Sequence, residues 1–92
     1  MNERQREELV RKFRTIKRRE IKSQLSELKK KNDDLFKLWA YEKAIDESHL
    51  RKSAREILIE IDKLEIAYDR AASDPVTDEM IVQYGRKLRD MR

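Results

Sequence analysis

The sequence predicts an all-α protein: a long-helix antiparallel bundle or coiled coil of three helices per chain, completed by oligomerisation. Three observations predict it. The 92 residues contain one Gly and one Pro, too few for hairpin-built β structure or a loop-rich fold. Charged residues make up 46% and hydrophobic residues only 38%, so one chain has little material for a core of its own. The hydrophobic residues nevertheless recur at alternating 4-3 spacing over two long stretches, the signature of a helical seam. That order argues against the disorder that high charge alone would suggest.

The whole chain, 1–92, reads as a single helical domain. The first helix is expected over residues 3–45, about 65 Å long at 1.5 Å per residue. Ile21, Leu25, Leu28, Asn32, Leu35 and Trp39 step 4-3-4-3-4 along it. The register runs through Asn32-Asp33-Asp34, the obvious turn candidate. Preserved phase favours one continuous helix, with a break near 32–34 as the alternative. Upstream, Leu9, Val10, Phe13 and Ile16 are offset from the seam, so the contact surface must drift around the helix.

The second helix is expected over 48–72, capped by Asp46 or Ser48. Leu50, Ala54, Ile57, Ile61, Leu64 and Tyr68 form its seam. Ile59 and Ile66 fall on the opposite side, which suggests a helix lying between two neighbours. The third helix is expected over 75–91. Pro75 suits a first helical position, Asp74 would be its N-cap and Thr77 a rival cap. Met80, Ile81, Tyr84, Leu88 and Met91 gather on one side.

Charge is divided unevenly. Residues 1–31 carry 12 Lys/Arg and 5 Asp/Glu, whereas 32–92 carry 11 and 14, which leaves a net charge of +4. On a helical wheel Arg4, Arg11, Arg18, Lys22 and Lys29 lie within about 40° of one another. Lys12, Arg19 and Lys30 form an adjoining row. This ridge, about 39 Å long, suits a nucleic-acid backbone or another acidic partner. The blander reading is a solvated face, supported by the i,i+4 pairs Glu7–Arg11, Glu8–Lys12 and Glu27–Lys31. A basic helix followed by leucines invites comparison with bZIP proteins. Residues 11–22 contain no Asn or Ala to reach base edges, so DNA binding would read backbone rather than bases.

Other functional classes find little support. There is no Cys and a single His, His49. That excludes a disulfide scaffold, a Cys-based zinc site and a thiol nucleophile. No catalytic residue, metal ligand or cofactor is expected. No apolar run approaches the roughly 18 residues of a membrane span, and a cytoplasmic location is expected. Asn32, at a seam position, is a candidate for fixing register in an oligomer. Phe36 and Trp39, with Leu38 and Tyr41, form an aromatic cluster. With Ile59 and Ile66 they are the candidate interface residues.

The leading expectation is therefore a non-enzymatic protein–protein interaction module: a small regulator, inhibitor or adaptor acting as a homo-oligomer, with a dimer favoured. Sequence-nonspecific nucleic-acid binding through the basic face of residues 4–30 is the alternative. A small all-helical enzyme is a distant third.

Overall fold

The structure is a computed structural model and describes residues 2–90. Among these residues there are four helices and no strand: α1 (Glu3–Ala40), α2 (Glu47–Arg70), α3 (Asp78–Gln83) and α4 (Gly85–Asp90). The chain is all-α. It has four helical segments rather than three.

α1 begins with a reciprocal cap. The Asn2 side chain accepts from the Gln5 amide at 2.8 Å, and the Asn2 amide donates to the Gln5 side chain at 3.2 Å. Two of the unpaired first-turn donors are thereby satisfied or replaced. The helix passes through Asn32-Asp33-Asp34 without interruption. It stops at Ala40, five residues short of the expected 45. The amides of Tyr41 and Glu42 both bond the Lys37 carbonyl, and that of Ala44 bonds the Leu38 carbonyl. Lys43 then takes a left-handed φ of 51°. This conformation is unfavourable for a residue with a Cβ and turns the chain with no glycine to announce it.

α2 starts at Glu47 because Asp46, not Ser48, is its cap: the Asp46 carboxylate accepts from the His49 amide at 2.7 Å. It returns antiparallel to α1. Leu28 and Leu35 of α1 share one cleft with Ser53 and Ile57, and Ile21 shares another with Ile66 and Ala67. All six residues of each seam are half-buried or buried. The packing is thin, however, and Ile61 is the only α2 residue among the buried hydrophobics.

The expected helix over 75–91 is replaced by an irregular segment, 71–77, and two short helices. Asp74 does not cap. Its carbonyl accepts from Arg14 at 3.2 Å, and that of Val76 accepts from Arg6 at 3.0 Å. Carbonyls committed to arginines of α1 hold this stretch irregular. Thr77 is the cap, its hydroxyl accepting from the Met80 amide at 3.3 Å. The helix breaks once more at Tyr84, with φ −95° and ψ 9°, beside the only glycine, Gly85. α4 resumes through the Leu88 amide bonding the Tyr84 carbonyl at 2.8 Å. Met91 and Arg92, expected at the end of this helix, lie outside the described residues.

The segment after α2 runs back beside the first half of α1. Phe13, Val76, Ile81 and Leu88 are buried there, with Leu9, Val10, Ile16, Met80 and Tyr84 packed around them. The residues of α1 that were out of phase with the α2 seam thus serve a different neighbour. α2 and the α3–α4 pair each pack on α1, and no Cα of α2 lies within 8 Å of a Cα of α3 or α4. The result is a spine with two attachments.

The molecule measures 59 × 22 × 16 Å, with a radius of gyration of 18.3 Å, against about 12 Å expected for a compact chain of this length. Its accessible surface is 7664 Å², against about 5,700 Å² for a compact monomer of this mass.

Candidate functional site

The basic face of α1 takes its position from the two attachments. α2 covers the side bearing Ile21, Leu25 and Leu28, and the C-terminal helices cover the side bearing Leu9, Phe13 and Ile16. The remaining side is open, bordered by Tyr68 of α2. Arg4, Arg11, Arg18, Arg19, Lys22, Lys29 and Lys30 are all exposed on it, and Lys12 is half-buried. Among the described residues, the only ion pair engaging these eight is Lys12–Glu8 at 3.6 Å. The Arg18 guanidinium lies 4.4 Å from the Tyr68 ring centroid, a cation–π contact that steadies the side chain and leaves its charge uncompensated.

Two arginines outside this ridge have a different task, and helical phase alone did not single them out. Arg6 donates to the Asp78 carboxylate at 3.1 Å and to the Val76 carbonyl. Arg14 donates to the Asp74 carbonyl, and its Nε is buried without a partner. Both tether the 71–77 segment. With Arg11 and Arg18 they line a shallow depression that also contains Val10 and Thr15.

Glu20 looks like an interruption of an apolar face in the sequence. In the structure its carboxylate accepts from Lys87 and, at 3.1 Å, from the Tyr84 hydroxyl. The hydrogen bond from Lys87 holds the Glu20 carboxyl below its ordinary pKa, with smaller help from Tyr84 and against the opposing effect of burial. The same bond raises Lys87. The Tyr84 ring stands edge-on to Phe13, with centroids 4.9 Å apart, and carries Lys17 and Lys87 at 5.1 and 5.0 Å. These groups dock α4 onto α1.

The five candidate interface residues fall into two places. Asn32 and Trp39 are half-buried beside α2, and Phe36 is 52% exposed, its ring centroid 5.5 Å from that of Trp39. Ile59 and Ile66 lie on the outer side of α2, 49% and 53% exposed. Ile66 stands at the level of Phe13 and Ile21, more than about 20 Å along α1 from Phe36. Leu58, at 52%, adds to the exposed apolar surface of α2.

Among the described residues no group of three His, Cys, Asp or Glu side chains is placed to hold a metal ion, and no helix is long and apolar enough to cross a membrane. His49 is exposed in the first turn of α2, with its Nε2 3.5 Å from the Ser53 hydroxyl. Comparison with protein families, curated proteins and solved structures finds no match to this chain.

Proposed function

We propose that this chain is a non-enzymatic helical interaction module that acts as a homo-oligomer, most simply a dimer, in the manner of a small regulator, inhibitor or adaptor. One observation carries the reading. Among the described residues a single copy buries five hydrophobic side chains, while Phe36, Leu58, Ile59 and Ile66 stand about half exposed. Leu58, Ile59 and Ile66 share α2, and large apolar side chains gathered on one helix are the usual mark of a surface that another protein covers. Sedimentation equilibrium across the micromolar range is the test. A mass at twice 11.2 kDa or a higher even multiple is expected, and a clean monomer throughout refutes self-association.

A second reading, binding of a nucleic-acid backbone, is favoured by the basic face, which is exposed along its length and nearly free of carboxylate partners. About five phosphate contacts per chain would give a log–log salt slope near −4.5. The Arg18→Glu/Lys22→Glu variant should weaken binding to unrelated sequences alike. Absence of binding to DNA and RNA at low salt rejects this reading and leaves the first untouched.

A further inference from the structure

The broken third helix leaves an opening that a closed three-helix bundle would lack. α2 and α3–α4 sit on different sides of α1 with no Cα of one within 8 Å of a Cα of the other, and between them lies an open cleft of about 350 Å³. Phe13, Lys17 and Ile21, each one turn above the last, are its contribution from α1. Ile66, Ala67 and Arg70 line it from α2, and Val76 and Met80 from the opposite side. Phe13 is buried within the core cluster, whereas Ile66 is 53% exposed at the cleft. The lining is therefore mainly apolar.

The charged members of the lining are mostly of one sign: Lys17, Lys63 and Arg70, against the single carboxylate of Asp74. Lys63 has only an exposed contact with Glu60 at 3.8 Å. Arg70 enters no ion pair among the described residues. Lys63 and Arg70 are seven residues apart on α2, about 10.5 Å, and Phe13 to Ile21 spans about 12 Å. A helix lying in the cleft presents side chains i, i+4 and i+7 over the same distance.

We propose that this cleft is the acceptor site for an acidic amphipathic helix of a partner protein. Three aliphatic side chains of that helix, at i, i+4 and i+7, cover Ile21, Ile66 and Met80, and its carboxylates face Lys63 and Arg70. The incoming helix completes the bundle that the chain leaves open. This proposal rests on the reading of the chain as an interaction module, though not on its self-association. It uses a surface separate from the basic face of α1.

The test is calorimetric titration of the full chain with a capped peptide of about 18 residues, long enough to be helical. It carries Leu at i, i+4, i+7 and i+11 and is otherwise Glu and Ala. Two comparison peptides replace every Glu by Lys or every Leu by Ala. The Glu peptide should bind at least about tenfold more tightly than either, a difference of about 1.4 kcal/mol. Lys63→Glu/Arg70→Glu, which changes two exposed side chains, should reverse the preference between the Glu and Lys peptides. Ala67→Trp, which fills the cleft, should abolish binding. Ile59→Ser, outside the cleft, should leave it unchanged. Circular dichroism checks that each variant keeps its helix content. Equal affinity for the Glu and Lys peptides overturns the proposal, as does binding that survives Ala67→Trp in a folded protein. If no peptide binds while Ala67→Trp converts an oligomer into a monomer, a second copy fills the cleft and the proposal is wrong. Sedimentation of the same samples separates that result from failure of the self-association reading.

Discussion

Phe13→Ala should detach the C-terminal helices while leaving the α1–α2 hairpin largely intact. Phe13 is 3% exposed and is the only α1 member of the buried cluster with Val76, Ile81 and Leu88. Truncating a buried Phe costs about 3–5 kcal/mol. The upper half of that range applies here, because the ring also makes an edge-on contact with Tyr84 that Ala cannot replace. A chain of this length is stable by about 5–14 kcal/mol in total. With so few buried residues, this one belongs near the lower end. The loss falls on a local unit, since Ile61, the buried residue of the hairpin, packs about 20 Å further along α1. Sites so far apart with no shared partner act nearly independently. Amide hydrogen exchange followed by NMR reads the two units separately. In Phe13→Ala the amides of α3 and α4 should lose protection, while those of α2 around Ile61 keep most of theirs. Equal loss in α2 would show one cooperative core and refute the division.

Two further expectations follow from the same geometry. Ile61→Ala should cost about 2–5 kcal/mol, whereas Lys63→Ala, at a side chain 70% exposed, should cost under about 0.5 kcal/mol; equal thermal shifts would mean that the helical phase of α2 is misassigned. The Glu20 carboxyl is held below its ordinary pKa by Lys87, so its contribution is present above the unfolded-state value and lost as pH falls through the lowered one. Lys87 is raised, so its contribution holds below the ordinary lysine value and is lost as pH rises through the raised one. Thermal midpoints across the acid range should fall less steeply for Glu20→Gln than for the native chain, and parallel curves would remove Glu20 from the acid response.

Much of α1 and α2 was legible because a 4-3 repeat of large apolar residues has one simple solution, a helix facing a helix. The same pattern explains why the register survived Asn32-Asp33-Asp34. Two in-phase seam residues, Leu35 and Trp39, follow those polar residues and are half-buried like the rest, Leu35 sharing a cleft with Ile57 of α2. The C-terminal segment was less legible because its conformation is decided from a distance. Pro75 and Asp74 resemble a local helix start, yet Arg6 and Arg14, some 60 to 70 residues away in sequence, take the carbonyls that a helix beginning there would use. Nothing near residue 75 encodes those arginines. The end of α1 was hidden for another reason. Lys43 adopts a left-handed turn that sequence rules reserve mainly for Gly and Asn, and its identity gives no signal. The offset apolar group Leu9-Val10-Phe13-Ile16 was visible in the sequence, but its meaning required a partner. It marks where α1 exchanges one neighbour for another.

That exchange also accounts for the placement of charge. With α2 on one side of α1 and the C-terminal helices on a second, the third side is free, and most of the eight ridge cations lie there, with Arg18 stacked on Tyr68 at its border with α2. Solubility alone would be served by alternating signs joined in i,i+4 pairs, and the spacing offers several such pairs. Glu8–Lys12 closes at 3.6 Å. Glu7–Arg11 and Glu27–Lys31 form no ion pair. The acids that do make contact across the fold are spent elsewhere: Asp78 on Arg6, and Glu20 on Lys87. Carboxylates are thus used to dock the C-terminal segment, while the positive charge of the open side is left largely without internal compensation. Like charges along one helix repel, and in water that repulsion is relieved by counterions within about 10 Å at 0.1 M salt. A polyanion can take the place of those counterions and release them. The cleft between α2 and α3 has the same imbalance on a smaller scale, joined there to an apolar floor. One surface suits an extended charged backbone and the other a helix with apolar side chains, so the two functional readings address different parts of the molecule and are compatible.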